Sequence, residues 1–107
     1  MIFLSNKIRV EIILPLYYND KTQIEPRKFF ETRGELTAKF GGCTAMSPAE
    51  GSWIDKDIGY NDINSGFYVV APHTEDSIKF FRDYKEVLKK RFDQLDILIT
   101  YYPIENI

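Results

Sequence analysis

Phe67-Tyr68-Val69-Val70-Ala71-Pro72-His73-Thr74-Glu75-Asp76 holds a strand, its stop and the start of a helix in consecutive residues. The aromatic and β-branched run from Phe67 to Ala71 fits a pleated, half-buried surface, and Pro72 has no N–H with which to extend a ladder. Thr74 offers a hydroxyl to the orphan N–H groups of a first helical turn, and Glu75 and Asp76 meet the positive end of its dipole. Downstream, Ile78, Phe81, Leu88 and Phe92 recur at helical spacing, and Lys89, Lys90 and Arg91 fall in the last turn, where cations are favoured. A final strand is expected over Asp96 to Tyr102, stopped by Pro103.

Upstream, Ile8, Val10, Ile12 and Leu14 alternate with Arg9, Glu11 and Ile13, the period of a half-buried first strand. Asn19-Asp20-Lys21-Thr22 reads as a polar loop, and Pro26 suits the first turn of a helix because its missing N–H would have no intrahelical partner there. That helix runs to about Phe40, where Gly41-Gly42 supplies a left-handed stop, and its apolar stripe is Phe29, Phe30, Leu36 and Phe40. Gly34 inside it costs about 1 kcal/mol relative to alanine, which points to a close approach by a neighbouring group.

Between the helices, Cys43 to Met46 and Ser52 to Asp55 read as two halves of a bent strand with a turn or bulge over Ser47 to Gly51. Lys56 to Ser65 is rich in Asp, Asn and Gly, with room for a short extra strand around Ile58 to Asn61 before a turn at Asn64-Ser65-Gly66. The order strand, helix, strand, strand, helix, strand matches the split βαβ, or ferredoxin-like, pattern: an α+β sandwich with two helices on one face of a four-stranded antiparallel sheet. Lys28-Phe29-Phe30 aligns with Lys79-Phe80-Phe81 and Glu35 with Glu86, as two equivalent βαβ halves would require.

The 107 residues are expected to form one domain, 1–107, and 44% hydrophobic with 15% aromatic residues excludes a disordered chain. With 14 basic and 16 acidic side chains interspersed, no polybasic tract offers the counterion release that drives nucleic-acid affinity. The longest apolar stretch, Ile12 to Tyr18, is broken by Pro15 and falls far short of the ~20 residues of a membrane helix. Met1-Ile-Phe-Leu4 is too short for a signal-peptide core, and Cys43, the only cysteine, excludes an internal disulfide and CxxC-type sites. The expectation is a cytoplasmic protein with no cofactor and no resident metal; Asp55, Asp57 and Asp62 near Glu50 lack the spacing of a calcium loop and read as a solvated turn.

The proposed architecture leaves one sheet face bare. That face receives Arg9, Glu11 and Ile13, one alternating set from Phe67 to Ala71, and one from Ile97 to Tyr102. Such a mixed apolar and aromatic patch marks an interface, so a homodimer closing sheet on sheet is expected, with a small-molecule or protein ligand as a further partner. Four residues are candidates for ligand binding. Arg33, beside the apolar stripe of the first helix, needs a partner there: Glu11, Asp55 or an anionic ligand. Trp53 and Tyr60, flanked by glycines and carboxylates, offer a stacking wall for a planar group. His73, the only histidine, is expected near Cys43 and Thr44, where an imidazole would activate the thiol. The enzymatic alternative is a small hydrolase or isomerase of the dimeric α+β barrel type using His73 with Arg33 or Tyr60. Ser65-Gly66-Phe67-Tyr68-Val69-Val70 resembles the aromatic third strand of RNA-recognition domains, but the first strand carries Arg9 and Glu11 where those domains carry an aromatic.

Gly41-Gly42-Cys43-Thr44, Gly51-Ser52-Trp53 and Arg91-Phe92-Asp93-Gln94 before a last apolar strand resemble a bacterial family of small ferredoxin-like domains of unassigned function. The likeness spans the first strand to Ile99; Leu95 stands where that family tends to carry an acidic residue. The resemblance implies a fold and no reaction.

Overall fold

The structure is a computed structural model, and it describes residues 6–55 and 58–107, with the backbone alone described over 47–55 and 58–63. Met1 to Leu4 and Lys56-Asp57, read from the sequence as a chain start and part of a polar loop, lie outside the described residues. The elements are β1 (Lys7–Pro15), α1 (Pro26–Phe40), β2 (Thr44–Asp55), β3 (Ile58–Pro72), α2 (Glu75–Arg91) and β4 (Leu98–Ile104). The antiparallel sheet has the order β2-β3-β1-β4, with β1 pairing β3 and β4. This is the ferredoxin-like βαββαβ arrangement that the pattern of the sequence predicts.

Alternation in β1 settles which way each strand faces. Ile8, Val10, Ile12 and Leu14 are fully buried and meet Phe67, Val69 and Ala71 of β3 with Leu36, Phe81, Leu88 and Phe92 from the helical side. Phe92 closes this core edge-on to Phe29, with centroids 5.1 Å apart. At about 25 cal/mol per Å² of apolar surface, each fully buried Ile, Leu or Phe contributes about 1.5–3 kcal/mol, so the layer contact outweighs helix propensity.

Helix boundaries follow their caps. Pro26 opens α1, and Gly41 ends it at φ 82° with its N–H donating to the Thr37 carbonyl. Thr74 caps α2 by accepting from the Ser77 N–H. The buried side of α1 differs from the expected stripe: Phe30 is 72% exposed, whereas Thr32 is fully buried. In α2 the buried residues include Phe81 and Tyr84. The aligned pair Phe30 and Phe81 thus point oppositely, one to solvent and one to the core, so the internal echo reflects shared composition rather than equivalent packing. Gly34 has nothing within 4 Å of where a Cβ would stand, and no close approach explains it.

The β2–β3 hairpin differs most from expectation. The segment around Ile58 to Asn61 is no separate strand but the first part of β3, which runs unbroken to Pro72. The Asn64-Ser65-Gly66 turn is absent: these residues pair with Pro15, Leu14 and Ile13 of β1. Gly66 is required there because a Cβ would lie 2.3 Å from the Ile12 carbonyl oxygen and 2.8 Å from the Met46 Cε. The expected bend in β2 is a register shift between Met46 and Ala49. Beyond Pro15 the two strands continue alone, from Glu50 opposite Ile63 to Asp55 opposite Ile58. In β4, Pro103 lies within the strand, which one neighbour alone pairs, an edge position where proline is tolerated.

Candidate functional site

Register assigns the face opposite the helices. Arg9 stands across from Val70 and Tyr102, Glu11 from Tyr68 and Thr100, and Ile13 from Gly66 and Leu98. Between the alternatives left open by the sequence, the helix-averted face therefore takes Tyr68 and Val70 from β3 and Leu98, Thr100 and Tyr102 from β4. Its centre is polar and ordered. The Arg9 guanidinium lies 3.6 Å over the Tyr68 ring, and its Nε donates to Glu11 Oε1 at 3.0 Å. Tyr102 Oη donates to the same carboxylate oxygen at 3.2 Å. Apolar groups flank this chain of contacts: Ile13 and Val70 are half-buried and Leu98 is 59% exposed. Arg9 thus occupies one side of the Tyr68 ring.

A second network joins the helices on the other side of the sheet. Arg91 of α2 forks onto Glu35 of α1, Nη1 to Oε1 at 2.7 Å and Nη2 to Oε2 at 2.9 Å, and Nη1 also donates to Thr32 Oγ1 at 2.9 Å. Tyr84 Oη donates to Glu35 Oε1 at 2.7 Å. The Arg91 guanidinium, helped by the Tyr84 hydroxyl, holds the Glu35 carboxyl below the usual glutamate range despite the opposing effect of burial. Burial, then the bond to Glu35, pushes the Tyr84 phenol far above its ordinary value. These groups are mutually satisfied, so the cluster locks two helices together. At the loop before α1, Lys28 Nζ donates to Tyr18 Oη at 2.5 Å while Tyr18 donates to Glu25, a further closed set.

The four candidate ligand residues do not converge. Arg33 is exposed, so a guanidinium there needs no partner, and Glu11 is engaged by Arg9 instead. The buried side of α1 is centred on Thr32 and Leu36, which leaves Arg33 at its rim. Trp53 and Tyr60 are Cα partners in the distal part of the β2–β3 hairpin. Their side chains lie outside the described residues. His73 follows β3 at the opposite end, roughly 40 Å of extended chain from Tyr60. It is exposed, and its backbone N–H donates to the Asn6 carbonyl at 2.8 Å. Since Thr44 faces Tyr68, the register also sets His73 roughly 16 Å along the strand from the start of β2, short of a pairing with Cys43. Burial raises the Cys43 thiol above its ordinary value, opposed only in part by Arg33. A resting thiolate is therefore disfavoured.

Sequence reasoning missed Glu35, Tyr84 and Thr32. Tyr84 could have been found, for it continues the i, i+3, i+7 stripe of Phe81 and Leu88. The Glu35–Arg91 fork had no local signal, because its two halves sit on different helices. No group of three or more potential metal ligands gathers among the described residues, and no helix there is long and apolar enough to cross a membrane.

Fold and faces together define a ferredoxin-like α+β sandwich whose helices cover one sheet surface and whose other surface carries the Arg9, Glu11, Tyr68 and Tyr102 cluster. No protein-family model and no curated protein matches the chain. Solved structures share its fold at low identity. The divalent ion tolerance protein CutA1 from Ehrlichia chaffeensis superposes with a TM-score of 0.66 at 10% identity, over 98% of this chain and 87% of that one. A phage SAM lyase in complex with S-methyl-5'-thioadenosine gives 0.68 at 8% identity, over 96% and 85%. A Bacillus cereus protein related to NIF3 gives 0.61 at 10% identity over 98% of this chain, which spans about a quarter of that longer protein, 27%.

Proposed function

We propose that this chain is a cytoplasmic binding module that pairs with a second copy of itself through the helix-averted sheet face. The observation that carries this reading is the pairing of opposite charges on that face, Arg9 beside Glu11 on one strand, within an apolar border of Ile13, Val70 and Leu98. A two-fold contact must be self-complementary, and a strand that alternates cation and anion satisfies this by setting Arg9 of one copy against Glu11 of the other. The neighbours in fold bear on the fold alone, since an ion tolerance protein and a lyase show one architecture hosting different chemistry. A hydrolase or isomerase built on His73 with Tyr60 would need the two from different copies, given their separation within one.

Sedimentation equilibrium tests the pairing. A species at twice the 12.6 kDa monomer mass is expected at micromolar concentration, reduced to monomer by Leu98→Asp or Val70→Lys. A monomer persisting to roughly 0.5 mM, a concentration at which a contact of only about 4–5 kcal/mol would register, overturns the reading. So does association that both substitutions leave unchanged.

A further inference from the structure

On the helix side, α2 does not seal the sheet as far as its edge. A groove of about 180 Å³ opens between α2 and β4, lined by Ile8, Ile78, Phe81 and Ile99, with Tyr101 at its mouth and Arg82 and Lys85 on its rim. The helix contributes Ile78, Phe81, Arg82 and Lys85, the i, i+3, i+4, i+7 positions of a single stripe, so apolar floor and cationic rim are one surface of one helix. Opposite, Ile99 and Tyr101 stand across from Ile12 and Val10 of β1 and so share the face on which the core packs. Ile8 and Phe81 at the base are buried, whereas Tyr101 is 46% exposed. An edge strand thus carries core-facing side chains that the helix above leaves partly open.

The two cations are not equivalent. Lys85 Nζ is paired with Asp96 at 2.8 Å, and that contact holds the Asp96 carboxyl below the usual aspartate range. The Arg82 side chain makes no ion pair or hydrogen bond among the described residues. A guanidinium presents a planar, bidentate fork for a carboxylate, and here it borders an apolar recess without such a partner. Volume sets the apolar part of an occupant. An enclosed cavity of about 150 Å³ lined by aliphatic and aromatic groups accommodates a benzene ring, so the apolar recess has room for a single ring.

We propose that the groove between α2 and β4 is a binding site for a small single-ring aromatic carboxylate, its ring against Ile8, Phe81 and Ile99 and its carboxylate on Arg82. Lys85 adds a cation from the next turn, partly offset by Asp96. The site lies on the opposite side of the sheet from the proposed contact between copies, so either can fail without the other.

Methyl-resolved NMR titration with phenylacetate, against phenylacetamide as a neutral probe of the same shape, tests the site. Saturable shifts are expected at the methyl groups of Ile8, Ile78 and Ile99, with phenylacetamide binding about ten-fold more weakly and Arg82→Gln removing that preference. Arg82 is exposed on the helix surface, so the variant retains its fold, which its unperturbed amide spectrum would show. Arg27→Gln, on the other helix, leaves the affinity unchanged. The proposal is overturned by the absence of shifts up to roughly 10 mM probe, a ceiling of about 3 kcal/mol of binding, or by equal affinity for acid and amide. Shifts confined to Ile13, Val70 and Leu98 overturn it as well, since they place the probe on the other face.

Discussion

Gly66 shows how one residue can decide a local structure for a reason that its neighbours conceal. In Asn64-Ser65-Gly66 the glycine reads as a turn, yet it sits in β3 because the Ile12 carbonyl and the Met46 side chain leave no room for a Cβ. Gly66→Ala must push back a backbone, and is expected to cost about 1–3 kcal/mol in urea-induced unfolding, the range of overpacked cores. Glu35 acts through charge. Its folded-state pKa lies below the ordinary value near 4.5, so the carboxylate stabilises the fold above that pH. This contribution falls away as pH drops from about 5 through the lowered value. Arg91→Gln removes the chief cause, and the wild-type minus variant difference in stability is expected to shrink as the pH falls below about 5. Glu35 is partly solvent-exposed, which holds the effect to about 1–2 kcal/mol after screening. A difference that stays constant through that window would show that the fork stabilises by packing alone.

Among the elements, α1 is the one whose sequence is least suited to its structure. Gly34 lies mid-helix, exposed, with open space where a side chain would stand. No contact offsets its entropic cost, so Gly34→Ala is expected to stabilise the protein by about 0.5–1 kcal/mol, measured as a higher urea midpoint at unchanged slope. A loss of stability would instead place an undetected neighbour at that position. The caps conform more closely to local rules. Pro26, Gly41 and Thr74 do what their chemistry dictates, because a cap satisfies backbone groups within three or four residues of itself. The β2–β3 hairpin is the contrary case. Six residue pairs, from Glu50↔Ile63 to Asp55↔Ile58, continue with no third strand beside them, although polar Asp and Asn residues there read as loop. Two-stranded ribbons are marginal alone, and this one extends a ladder already nucleated against β1.

At the scale of the whole molecule, two faces of one sheet are put to different uses. Burial of the alternate residues of β1 binds the helices, and the intervening residues set Arg9 beside Glu11 on the helix-averted face, the surface proposed to pair with a second copy. If that surface is closed by a second copy, the melting temperature rises with protein concentration, because dimerisation favours the folded state by mass action. Leu98→Asp should abolish this dependence while leaving the dilute-solution melting temperature unchanged, since Leu98 lies largely outside the core. A concentration-independent melt of the unmodified chain would argue against the pairing.

Element type and order, both helix boundaries and the inward set of β1 were determined by the sequence alone, because alternation, helical spacing and caps act over a few residues of chain. The candidate site was not legible in the same way. Arg33, Trp53, Tyr60 and His73 each had suitable chemistry, but whether they converge depends on register and on the rotation of α1. Both are set by contacts between residues far apart in the chain. The Glu35–Arg91 fork and the α2–β4 groove arise only when two elements are laid side by side, and the free energy that fixes their placement comes from core burial spread over the whole sheet. Tertiary structure alone decided which charged groups would meet one another and which would face an open recess.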